Sequence, residues 1–439
     1  MIEVAEHKAP ALKRSIGLWS AVAINVGAII GGGIFVVTGI VAGYAGSAFI
    51  ISMIVAGLIA FITATSFAKL TAWQPVEGGA YEYGRQLVSP YAGFLAGWMW
   101  LVANTFTGAA VSLGFAFYLS AAVPGVPVNV VAAAMCLVFT ALNLVGAKES
   151  AAVNNIFVAI KLSVLAFFVA FGALYADTAN FTPFTPISSG VLYATFFIFF
   201  AYGGFARVTV IAEEIKDAKR NVPRVLLLSL GLSMLVYVLV GLVAVGLLGA
   251  EGLGGSASPL SAAMGVSGSS VAVQVISVGG LVATASVLLT AILGVSRMAY
   301  SMARRHDLPN TLAHLHGRFC TPYKAIIGTG VVMAVLVLFL DLTRVVAIST
   351  FALVFNYCIV NISAFKLQNG AGKLRRFLPL LGLATCLMLL AFILFATPEA
   401  WVTGVVFLAA GSAYFLVQKR MRGRKRVLAS EAHSKVNPL

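Results

Sequence analysis

The sequence predicts an all-α integral membrane protein with about twelve transmembrane helices of ~20 residues each, two of them discontinuous. Three observations carry that prediction. Of the 439 residues, 60% are hydrophobic and only 10% charged, with a mean hydropathy of +0.99, so no soluble domain of useful size is left over. Apolar stretches recur along the whole chain. The charges, finally, alternate from loop to loop.

That alternation explains the net charge of +15 without nucleic acid. Basic residues cluster at Lys8 to Arg14, Lys69 and Arg85, Lys148, Lys216 to Arg224, Arg304 to Lys324, Lys366 to Arg376, and Lys419 to Lys435. The intervening loops, around Pro124, Asp177 to Pro186, Glu251 to Pro259 and Thr397 to Glu399, carry no Lys or Arg, with Arg344 the one exception. By the positive-inside rule both termini are cytoplasmic and the span count is even.

In chain order, residues 1–15 form a cytoplasmic tail. The first span, Ile16 to Val41, is too long for a signal-peptide core and lacks a small-residue cleavage site, so it should stay in the mature chain. Within it lies NVGAIIGGGIF, Asn25 to Phe35. Consecutive glycines make a poor helix interior, each costing about 1 kcal/mol relative to Ala. Backbone groups freed by unwinding inside a bilayer need partners. A half-helix starting near Gly33 would aim its N–H groups and positive dipole end at a carboxylate. The competing reading, glycines that only permit close helix packing, fits less well because Gly31, Gly32 and Gly33 circle the helix instead of lining one face.

A second span, about Gly46 to Leu70, is followed by a loop rich in Gly, Pro and aromatics, then by spans ending near Ala122, Gly146 and Tyr175. The sixth span is irregular again, with Gly203 and Gly204 amid aromatics from Phe196 to Phe205. Two interrupted spans about five apart are the pattern of transporters built from inverted repeats, with substrate at the midplane between the breaks. The remaining spans run to Val417, and residues 419–439 form a basic cytoplasmic tail.

The motifs resemble those of the amino acid/polyamine/organocation transporter superfamily, in the type of sodium-independent amino acid permeases. GAIIGGGIF, PVEGGAYEYGRQ with GFLAGW, FFAYGGF, AEEIKDAKRNVPR and SRMAYSMARRHDLP stand in the expected order between about Ser15 and Leu367. The resemblance implies a leucine-transporter-like fold: a first repeat over 16–175, an inverted second over 188–367, and two extra helices over 374–418. It implies secondary active transport of amino acids by alternating access, without a cofactor or metal, and leaves oligomeric state open.

Residue by residue, the resemblance puts the substrate carboxylate at the amides of Gly31, Gly32 and Gly33. It puts the α-amine at carbonyls of Ile29, Phe200, Ala201 and Gly203, with the Phe200 ring as a gate; a Phe-rich membrane helix is more often simply lipid- or core-facing. Where relatives with cationic substrates often carry Glu or Asp, this chain has Ala206 and Arg207. A guanidinium near substrate would repel a second positive charge, although Arg207 can instead pair with Glu213 or Glu214 or snorkel. Either arrangement argues against arginine, lysine and polyamine substrates.

Lys161 stands in the middle of the fifth span. Burial disfavours a lysine's charged form, while Arg207 and Arg297 at similar depth hold their protons. The resemblance adds that in sodium-independent members such a lysine takes the place of a sodium ion, bridging the first span near Gly27 to the eighth near Ser286. The expectation is sodium-independent symport with protons.

Other chemistry is weakly indicated. Cys136, Cys320, Cys358 and Cys386 lack CxxC spacing, so neither a metal site nor a disulfide framework follows. His314 and His316 lack carboxylate partners, and Gly78-Gly79 lacks the flanking residues of a phosphate-binding loop. No titratable cluster lies at membrane depth for an intramembrane enzyme. A channel is the other class, separable from a carrier by trans-stimulation.

Overall fold

The computed structural model describes residues 16–75, 78–145, 151–209, 212–317, 319, 321–368 and 373–436, without the side chains of 151–155, 213, 373–375 and 422–436. The N-terminal tail 1–15, Lys148, Arg318 and Cys320 therefore lie outside the described residues.

Helices account for nearly all of it. The first span is split into α1 (Leu18–Ile29) and α2 (Gly32–Ala45), and α3 (Phe49–Trp73) is the second span. A one-turn α4 (Ala80–Tyr83) precedes the long α5 (Pro90–Ala122); α6 (Val128–Leu144) and α7 (Ala151–Gly172) follow. The sixth span is α8 (Ser189–Tyr202) continued by a 3-10 segment, Gly203–Thr209. Then come α9 (Ala218–Gly254), the short α10 (Pro259–Gly265), α11 (Ser270–Arg304), α12 (Tyr323–Phe339), α13 (Leu342–Leu367), α14 (Lys373–Ala396) and α15 (Pro398–Val436).

Among the described residues, nine helical runs are long and apolar enough to cross a membrane, α2 and α3 counting as one run of 42 residues. The three shorter apolar helices are α1, α6 and α12; α1 lies within the expected first span and α6 stands where the fourth was expected. Several starts are capped as the sequence dictates: the side chains of Ser89, Ser269 and Asp341 accept the N–H of Ala92, Ala272 and Arg344. Each cap satisfies one amide that helix geometry orphans. Arg344, the exception to the charge alternation, is neutralised by Asp341 at 3.1 Å and Glu399 at 2.9 Å.

Packing divides the spans into two groups. The broken first span, α3, α8 and α9 pack on one another, whereas α5, α6, α11 and α12 form a second group. This second group has its own apolar cluster, including Val111, Cys136, Val287 and Met333. Helices α7 and α13 touch both groups. The two helix breaks lie on the seam.

Candidate functional site

The break in the first span is set by its glycines. Helix α1 ends at Ile29, Ile30 leaves helical geometry (ψ 78°), and Gly31 takes φ −117°, ψ −149° before α2 restarts at Gly32. The Gly31 N–H turns back to Ile29 O at 2.8 Å. Gly32 and Gly33 head α2, where an N–H has no intrahelical acceptor, so the dipole end is presented by two amides and the third is internally engaged.

Close approach of the first and sixth spans accounts for Gly33 and Gly204. A Cβ on Gly33 would lie 2.7 Å from Ala201 Cα, and one on Gly204 would overlap Ala28 O. The breaks thus touch backbone to backbone. In the sixth span the helix does not open into a loop; it tightens into the 3-10 segment, with Gly203 N–H capping Phe200 O.

A cavity lies between the breaks and extends to Gly78–Tyr81 at the basic-loop end. Ile29, Gly31, Gly32, Gly33, Phe200, Ala201 and Gly203 all line it, so every residue expected around the substrate converges on one space. Phe200 is buried and faces that space; Phe196, Phe197 and Phe199 are fully buried and do not line it. Arg207 also lines the cavity, with Nη1 donating to Thr290 Oγ1 on α11 at 2.7 Å. Of its two expected acidic partners, the Glu213 side chain lies outside the described residues.

Lys161 is buried on α7, and its Nζ donates to Gly27 O at 3.3 Å, just before the first-span break. Ser286 is also buried, but its hydroxyl donates to Ala283 O of its own helix at 2.8 Å. Gly27 is itself the contact point with α7, since a Cβ there would overlap Val158.

Comparison with known proteins decides the family. The amino acid permease profile matches residues 16–417. The chain belongs to the amino acid permease family. Its relatives include an uncharacterized transporter of Mycobacterium tuberculosis, 37% identical over 419 residues, 94% of this chain and 93% of the relative. The methylthioribose transporter of Bacillus subtilis is 28% identical over 442 residues, covering 95% and 96%. The branched-chain amino acid permease BcaP of the same organism is 29% identical over 426 residues, covering 90% of each. The permease is therefore a multi-pass membrane transporter.

Several groups at the permease's site escaped the sequence reading. Tyr237 on α9, fully buried, directs its hydroxyl to Ile29 O (2.8 Å) and Ala201 O (3.0 Å), joining the two breaks. Tyr357 on α13 donates to Gly203 O at 3.0 Å. Asn25 on α1 donates to Ser229 Oγ at 2.6 Å and accepts Val208 N–H at 3.3 Å, tying the first span to the sixth and seventh. At the cavity's basic-loop end, Tyr81 donates to Asp307 Oδ2 at 2.6 Å, which also receives Arg85 at 2.7 Å, while Arg305 pairs with Glu82 at 2.9 Å. A buried hydroxyl in an apolar helix was the available signal for Tyr237 and Tyr357.

Proposed function

We propose that the permease carries neutral L-amino acids across the cell membrane by alternating access, coupled to protons and independent of sodium. The observation that carries this is the meeting of two helix breaks on one cavity. An α-carboxylate placed there meets the Gly32 and Gly33 amides and the positive end of α2, the arrangement that broken membrane helices offer to anionic groups. An α-amine meets Ile29 O and Ala201 O. The Tyr237 hydroxyl now bonds to these carbonyls, so it shares them with the amine or yields them.

Arg207 on the cavity wall argues against a cationic cargo, because a guanidinium disfavours a second cation in a confined site. The division into two packing groups supports alternating access. In this reading 16–175 and 188–367 are inverted repeats, 374–418 adds two helices, and the basic loops and both termini are cytoplasmic, which places the Gly78–Tyr81 end of the cavity on the inward side. Lys161 supplies the proton step: protonated, it holds the first span through Gly27 O; deprotonated, it releases it, with Ser286 as the expected partner on the eighth span.

Counterflow in proteoliposomes tests carrier against channel. Internal unlabelled substrate should accelerate entry of labelled substrate. Flux indifferent to internal substrate would refute a carrier.

A further inference from the structure

Beyond the glycine break the cavity wall carries two side-chain amides whose orientation is forced. Asn104 Nδ2 donates to Trp100 O at 2.9 Å, and Asn356 Nδ2 donates to Ala96 O at 2.7 Å. A carbonyl can only accept, so in each case nitrogen is the atom held by α5 and Oδ1 is the atom turned away. Ala96 and Trp100 are one turn apart on α5, which sets the two amides about 6 Å apart along that helix at its 1.5 Å rise per residue. Asn356 is 1% exposed and its Oδ1 has no hydrogen-bond partner among the described residues. Both asparagines line the cavity, as does Arg207.

The wall thus carries two amide side chains, one of them with an unmet oxygen, and a cationic donor. We infer that the side-chain end of the cavity takes a carboxamide, making glutamine or asparagine the preferred cargo; this rests on the amino acid reading above. A carboxamide carries both complements, an NH2 for the asparagine oxygens and a carbonyl for the guanidinium. A carboxylate would pair with Arg207 but offers no donor to the two oxygens. An ammonium or guanidinium side chain suits the oxygens but meets Arg207. A branched aliphatic side chain leaves the Asn356 oxygen unmet, and sites built around hydrogen bonds discriminate strongly against analogues that lack them.

The test is binding of L-Gln, L-Asn, L-Leu, L-Glu and L-Lys to the purified, sodium-free protein, read by thermal shift and direct binding. The expected result is affinity for Gln or Asn at least tenfold above that for Leu, Glu and Lys. Asn104→Leu, at a half-buried position on the cavity wall, should lower Gln affinity at least tenfold and raise Leu relative to it; Asn356→Leu should do the same. Leu, Glu or Lys bound as tightly as Gln by the unmodified protein overturns the inference and leaves the amino acid reading standing, as does unchanged Gln affinity in Asn104→Leu. Binding of none of the five by folded protein overturns the inference, and binding of no L-amino acid at all overturns the amino acid reading with it.

Discussion

Gly33→Ala is the smallest change that tests whether the two breaks must touch. The added Cβ would lie 2.7 Å from Ala201 Cα and 3.0 Å from Ala201 Cβ, whereas carbon atoms rest about 3.5–4.0 Å apart. The first and sixth spans would have to separate by roughly 1 Å at the site. Backbone gives way less easily than a side-chain tip, and overpacking of this kind costs about 1–3 kcal/mol. If the substrate bridges the Gly33 amide and the Ala201 carbonyl, that cost appears as a loss of affinity of roughly 5- to 150-fold. Gly231→Ala is the control, because nothing lies within 4 Å of its added Cβ and alanine gains about 1 kcal/mol over glycine inside a helix. Binding measured on both purified variants, with melting temperature recorded alongside, separates the site effect from a general one. Wild-type affinity in folded Gly33→Ala protein would remove the glycine break from the binding site.

Three further outcomes follow from the same geometry. Tyr237→Phe should retain the fold and shift substrate affinity, since it removes the hydroxyl joining Ile29 O and Ala201 O; unchanged affinity would detach the site from those carbonyls. Lysine and arginine should bind poorly, and Arg207→Ala should raise their binding if the guanidinium faces the cargo, while high-affinity lysine binding by unmodified protein would defeat the charge argument. Burial, then the bonded Asp307 carboxylate, holds the Tyr81 phenol above its ordinary value of 10.0. The stability it contributes is therefore full below pH 10 and declines only above it, and Tyr81→Phe should cost about 1.5–3 kcal/mol at neutral pH, seen as a lower melting temperature.

The class and both helix breaks were legible because they rest on local composition: hydropathy, alternating charge, and glycines where a helix should continue. What the sequence hid is non-local. Gly203 and Gly204 mark an interruption, but neither its form as a 3-10 segment nor the fit of Gly204 against Ala28 O is written in a local pattern. Gly31 reads as a third amide for the carboxylate until its N–H is seen to close on Ile29 O. Tyr237 and Tyr357 look like any aromatic in an apolar helix, since the carbonyls they satisfy belong to other spans. Tyr81 meets Asp307 across 226 positions of sequence, a pairing that no local pattern encodes.

The most direct measurement is uptake of a labelled neutral L-amino acid into sodium-free proteoliposomes with an inward proton gradient, comparing wild type with Lys161→Ala. The account predicts accumulation by wild type that collapses with the gradient, and loss or uncoupling of that accumulation in Lys161→Ala while substrate binding is partly retained. Uptake that requires sodium, or gradient-driven accumulation that persists in Lys161→Ala, would contradict it.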